Sequence, residues 1–278
     1  MSSGVLTRRP REVVQIDPLT IEIGGTSIAI RTDSAEFRQL LADRYAGFVA
    51  QSRRFDFELT VDLFEPGDAA SSDEDLQIRL MGQEWSIRRG DFHARWNPST
   101  GRGAVRQPLS PYAIDSVLRI IHSLMLAKQG GFLVHAASAI RFGQAFLFAG
   151  VSGAGKTTIS RLAPPDTRLL TDEISYVVQQ DGEYCACGTP FAGELAQVGE
   201  NVSAPIKAVF LLEKGPENRI VTVSKPEAIR SLMRNILFFA DDAELVNEVF
   251  HSACEFASKV PVRRLMFVPD ERVWNIIG

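Results

Sequence analysis

Lysine is scarce in this chain. Of its 30 basic residues only six are lysines, and the first is Lys128. Chemistry that needs a lysine must therefore use the second half. Cysteine is scarcer still, with Cys185, Cys187 and Cys254 alone among 278 residues. So few, and an odd number, exclude a disulfide framework. The gap between Cys185 and Cys187 fits zinc badly without further ligands, so they read as small, half-buried strand residues. Long apolar runs are missing too. The best, residues 145–151, falls far short of the roughly 20 residues that span a bilayer. The opening residues, MSSGVLTRRPREVVQ, have no apolar run after their arginines, so they do not read as a secretory signal. Positive charge is not in excess either. The formal net charge is −4, and no basic stretch is interleaved with aromatics, which argues against nucleic acid as a partner. A cytoplasmic protein without membrane contact is expected.

What is present is ordinary globular material, 45% hydrophobic and 23% charged. That excludes a disordered, collagen-like or coiled-coil chain. The length allows one large domain or two small ones. The first half reads as β-rich. Residues 19–32 alternate around Gly24-Gly25, a hairpin pattern, and residues 55–64 (FDFELTVDLF) keep a strict period of two. Ser34 caps a predicted helix in which Phe37, Leu40 and Leu41 recur at helical spacing. Residues 66–75 read as an exposed loop, and strands are expected at 76–81 and 85–96 with a turn near Gly90. A Gly-, Pro- and Ser-rich stretch, residues 97–110, then breaks the pattern, and the domain boundary is placed there, after residue 107. Next comes a helix over 111–128, ended by Gly130-Gly131. Short strands at 132–140, 145–149, 169–170, 206–212 and 262–268 then alternate with helices at 225–238 and 243–259, and a short C-terminal helix follows. This predicts an α/β fold: a domain over 108–278 with a mixed sheet and flanking helices, preceded by a β-rich (α+β) accessory domain over 1–107.

One motif carries chemistry. Gly150-Val151-Ser152-Gly153-Ala154-Gly155-Lys156-Thr157 has the form G-x-x-x-x-G-K-[ST], the phosphate-binding loop. Its glycines let successive N–H groups face one anion. Lys156 would reach the β- and γ-phosphates, and Thr157 would place its hydroxyl on Mg²⁺. An apolar strand precedes the loop, and Thr158 opens a helix that Pro164-Pro165 cuts short. Such a loop needs a carboxylate at the end of a neighbouring strand. Leu169-Leu170-Thr171-Asp172-Glu173 supplies one, fifteen residues after Thr157. On an extended chain the two acids would point different ways, so one could hold metal while the other does acid–base work. His135, in an apolar strand just upstream, reads on chemistry alone more as a satisfied core residue than as a catalytic group. His93, His122 and His251 read as structural. No N-K-x-D segment follows, against a GTPase, and no L-S-G-G-Q segment, against a transporter ATPase.

The order of these pieces resembles the catalytic domain of the HPr kinase/phosphorylase family and its shorter relatives. The matching segments are Val134-His135-Ala136-Ala137, the loop at 150–157, and Arg168-Leu169-Leu170-Thr171-Asp172-Glu173. Residues 188–195 (GTPFAGEL) and Ala204-Pro205-Ile206 leading into Phe210-Leu211-Leu212-Glu213 resemble the shorter relatives. The resemblance spans about residues 131–268. It implies a P-loop kinase that uses ATP and Mg²⁺ to phosphorylate a serine of a protein or peptide acceptor. It implies phosphate binding by Gly150, Ser152, Gly153, Ala154, Gly155, Lys156, Thr157 and Thr158. It also implies metal at Thr157 and Asp172, and catalysis by Asp172 and Glu173 with His135 nearby. Two departures limit it. The acidic pair is Asp-Glu rather than Asp-Asp, which leaves the division of labour open. The glycine- and arginine-rich segment of the full-length enzymes has no counterpart, so hexamer formation and the phosphorylase reaction are not carried over, and no homo-oligomer is supported. A non-catalytic nucleotide sensor or assembly protein and a small-molecule kinase stay open as alternatives.

Overall fold

The computed structural model describes residues 17–52, 54–65, 75–191 and 199–277. It is mixed α/β, with two mixed sheets and few helices. The expected loop at 66–74, Arg53, and residues 192–198 of the segment at 188–195 lie outside the described residues.

The first sheet takes seven strands: β1 Leu19–Ile23, β2 Thr26–Thr32, β3 Phe57–Leu63, β4 Gln77–Met81, β5 Glu84–Arg89, β6 Phe92–Asn97 and β7 Arg102–Gln107. Their order is β1-β2-β3-β7-β6-β5-β4. The hairpin at 19–32 forms as the alternation predicts, turning on Gly24 and Gly25, both at positive φ. Helix α1, Ala35–Arg44, carries the chain over to β3, which is why β2 and β3 pair in parallel. Ser34 caps it, accepting from the Phe37 N–H at 3.1 Å. The Gly-rich stretch at 97–110 is not a break in structure. It contains β7, an interior strand between β3 and β6. Gly103 weakens the β signal there, yet a Cβ on it would stand 2.7 Å from the Arg95 carbonyl and from Leu59. Close strand packing requires the glycine that hides the strand.

Period-two alternation gives this sheet one buried face. Leu59, Val61, Trp85, Ile87, Phe92, Trp96 and Val105 point inward. Helix α2, Pro111–Lys128, covers them, and its far side packs on the second sheet. One apolar cluster therefore runs from Ile28 and Trp96 through Ile114, Leu118 and Ile121 to Leu133 and Tyr176. Asp115 on α2 accepts from the buried Tyr45 hydroxyl and from the Arg44 guanidinium, locking α1 onto α2.

The second sheet has nine strands: β8 Phe132–Arg141, β9 Gln144–Ala149, β10 Arg168–Thr171, β11 Ile174–Gln180, β12 Glu183–Cys187, β13 Ser203–Lys214, β14 Arg219–Thr222, β15 Ile236–Leu237 and β16 Val262–Phe267. Helices α3 Lys156–Arg161, α4 Lys225–Asn235 and α5 Ala243–Lys259 complete it. The helix expected over 225–238 stops at Asn235, because Ile236 and Leu237 pair with Val134 and Leu133 of β8. The C-terminal turn is a 3-10 helix, Glu271–Asn275. Cys185 and Cys187 sit buried on β12, as expected of small strand residues. No described helix is long and apolar enough to cross a membrane.

Candidate active site

Strand β8 organises the site. On one edge it pairs with β9, Ala136 opposite Ala149, so the chain leaving β9 at Gly150 emerges beside His135. On its other edge β10 and β11 pair with it in succession, Thr171 opposite Ser138 and Ile174 opposite His135. Between them the chain must bend, and Asp172 and Glu173 occupy the bend. The Thr171 hydroxyl fixes it by accepting from the N–H groups of Glu173 and Ile174, each at 3.2 Å. Sequence spacing alone put the two acids on an extended chain pointing apart. The bend instead turns both toward one cleft.

That cleft has a volume of about 460 Å³. Nine residues anticipated from sequence line it: His135, Ser152, Gly153, Gly155, Lys156, Thr157, Thr158, Asp172 and Glu173. Gly150 and Ala154, expected to bind phosphate, do not line it. They shape the loop: a Cβ on Gly150 would lie 2.7 Å from the Ala154 methyl carbon. Lys156 is nearly buried, and its ammonium donates to the Gly150 carbonyl at 2.9 Å. Gly155, in the left-handed region at φ 113°, starts α3. Asp172 is buried and Glu173 half-buried. Burial, and secondarily the charge on Lys156, hold His135 below its ordinary pKa, which favours the neutral imidazole.

Sequence reasoning missed two cations. Lys214 closes the cleft from the end of β13. It gets there because β13 runs parallel to β9, with Leu211 beside Ala149, and overshoots it. One of only six lysines at the end of an apolar strand was a usable signal. Arg119 on α2 reaches to 3.9 Å from the Glu173 carboxylate and lies over the Phe191 ring at 5.0 Å. Nothing in the spacing of α2 announced it. Arg230 and Arg234 are on α4 and do not line the cleft.

Thr157 and Asp172 offer a hydroxyl and a carboxylate to the same space, a hard-oxygen set suited to Mg²⁺. Among the described residues no group of three or more His, Cys, Asp and Glu gathers to hold a metal by itself.

Comparison with known proteins gives a family model and distant likenesses among solved structures. The family model described as SynChlorMet cassette protein ScmC matches residues 109–278. No curated protein matches. A solved structure of the Hpr(Ser) kinase/phosphatase from Coxiella burnetii matches at 15% identity, covering 45% of this chain and 92% of that one, with a TM-score of 0.24. A likeness that distant carries no weight for activity.

Proposed function

This chain belongs to the SynChlorMet cassette protein ScmC family, and we propose that the matched segment is a Mg²⁺-dependent ATP phosphotransferase acting on a hydroxyl, the serine of a protein or peptide. Residues 108–278 form the nucleotide-binding P-loop unit in this reading, and residues 1–107 the accessory one. The observation that supports it is the single cleft shared by Lys156, Thr157, Asp172, Glu173 and His135. A glycine loop alone would be a turn. A glycine loop facing two carboxylates across one cavity is a place to hold and transfer a phosphoryl group.

The loop amides and Lys156 bind the β- and γ-phosphates and stabilise charge on the transferred group. To do so Lys156 exchanges its bond with the Gly150 carbonyl for phosphate oxygen. Thr157 and the buried Asp172 hold Mg²⁺, which neutralises charge on the phosphates when bound. Glu173, more exposed and held toward the cleft by Arg119, accepts the proton of the acceptor hydroxyl. The hydroxyl oxygen bonds to the γ-phosphorus as the bond to the β-phosphate oxygen breaks, leaving ADP. His135 orients the acceptor side as a neutral hydrogen-bonding group.

The test is transfer of label from γ-labelled ATP to a serine-containing peptide library. Wild type incorporates label faster than it releases free phosphate. Glu173→Gln keeps MgATP binding and loses about 10²–10⁴-fold in transfer, the range for a general base. Near-normal transfer by Glu173→Gln refutes the assigned role. Hydrolysis without incorporation favours a nucleotide sensor, and labelling of a low-mass alcohol without peptide favours a small-molecule kinase.

A further inference from the structure

Over β4–β7 the second face of the first sheet is exposed. On β4–β7 that face presents Arg79, Arg88, Arg95, Arg102 and Arg106, all exposed, against the single acid Glu84. None of the five forms an ion pair among the described residues. Asp62, beside Arg106 in register on β3, does not pair with it, and Glu58 is taken by Arg31 at 2.6 Å. An ordinary solvated sheet face mixes charges of both signs. Here His93 stands directly between Arg88 and Arg106, each opposite it in register. Like charges opposite one another on a sheet destabilise it. In a chain of net charge −4, five arginines gathered on one face with no ion pair among the described residues, Arg106 resting only on the Phe64 ring at 5.7 Å, call for a ligand.

We propose that the open face of β4–β7 docks an acidic, extended peptide segment of a partner protein, gripped chiefly by Arg88, Arg95 and Arg106. Strands lie about 4.8 Å apart, so Arg88 and Arg106, flanking β6, stand about 10 Å apart. Acidic side chains at alternate positions of an extended peptide repeat every ~6.8 Å, so three of them span the ~13 Å from Arg102 to Arg106. Guanidinium forks match carboxylates two bonds at a time, and this half of the chain uses arginine to the exclusion of lysine. At one end of the face Arg88, His93 and Arg106 line an open cleft of about 330 Å³ with Phe64 and Phe92, room for an acidic side chain. Peptide is favoured over nucleic acid because Trp85 and Trp96 lie on the opposite, buried face, and the rings of Phe64 and Phe92 at the cleft are already covered by Arg106 and Arg89, which leaves no run of open rings for successive bases to stack on.

The test uses the full chain without nucleotide, so it stands or falls apart from the phosphotransfer reading. The probe is a fluorescein-labelled (Glu-Ser)6 peptide followed by anisotropy, with (Gln-Ser)6 as control. Wild type binds the acidic peptide, more weakly as salt rises, and not the control. Arg88→Gln with Arg106→Gln weakens binding by about tenfold or more, the scale of losing charge-assisted hydrogen bonds. Arg272→Gln, exposed elsewhere and paired with Asp270, leaves it unchanged. The double variant melts no lower than wild type, because repulsion across β6 is relieved; if it melts lower, Arg95→Gln alone must weaken the peptide in the same direction. Equal binding by variant and wild type, or none at millimolar peptide, overturns the proposal. So does an oligothymidylate that binds the same arginines more tightly. Binding that emerges only after Asp68, Asp73 and Glu74 are neutralised would give the face to the chain's own segment, and also overturns it.

Discussion

Two glycines of the site loop provide a prediction whose size follows from geometry. Gly153 and Gly155 both have positive φ, 77° and 113°. An alanine at either pays the left-handed backbone cost of about 1–2 kcal/mol. They differ in what a methyl group would meet. At Gly153 nothing lies within 4 Å, whereas at Gly155 the Cβ would stand 2.6 Å from Cζ of Phe267, at the end of β16. That ring sits in a core with Phe148, Phe210 and Trp274, so it cannot simply swing away. Overpacking of this kind adds about 1–3 kcal/mol. Gly155→Ala should therefore melt about 2–12 °C below Gly153→Ala, at roughly 2–4 °C per kcal/mol. Thermal melts of both variants check this. A double-mutant cycle with Phe267→Leu then isolates the clash, because the shorter side chain relieves Gly155→Ala and does nothing for Gly153→Ala. Equal melting temperatures, or no coupling to Phe267, refute the reasoning.

Other predictions concern the helices that carry the sheets. Asp115→Ala leaves the buried Tyr45 hydroxyl and the Arg44 guanidinium without their carboxylate. It should cost about 2–4 kcal/mol in urea unfolding, less than a fully buried pair because Arg44 keeps 21% exposure. His122 is wholly buried between the sheets, bonds through Nδ1 to the Tyr176 hydroxyl at 3.1 Å, and has its pKa pushed down to about 3 by burial. The unfolded chain takes up this proton near pH 6.5 and the folded chain does not, so stability is lost as pH falls from about 6.5 toward 3. The slope is about 1.4 kcal/mol per pH unit. In a folded His122→Gln variant, the stability lost between pH 7 and pH 5 in urea unfolding should be smaller than in wild type by about 2 kcal/mol; an equal loss contradicts it.

Most of the framework was legible where one physical signal dominated. The 18 residues of α2 carry Ser110 as cap, Pro111 at the first turn and an unbroken apolar stripe, and they fold as read. The alternation at 55–64 gave β3, and the helical pattern at 243–259 gave α5, which the structure caps with Asp242. The reading failed where tertiary contacts override local pattern. Strand β7 was hidden by the glycine its neighbours demand, and the last residues expected in α4 were drawn into β15 by β8. The site divides the same way. The loop and acidic pair are contiguous and could be read. Lys214 reaches the cleft because β13 overshoots β9, a placement that a rare lysine at a strand end could have hinted at; Arg119 reaches the Glu173 carboxylate from α2, and no spacing in the chain encodes that.

The central claim is that the cleft holds MgATP through Lys156. Calorimetric titration of ATP with Mg²⁺ into wild type and Lys156→Ala tests it without knowledge of the acceptor. Saturable binding by wild type, dependent on Mg²⁺ and lost in a Lys156→Ala protein of unchanged fold, is the predicted result. No binding by folded wild type, or equal binding by the variant, contradicts it.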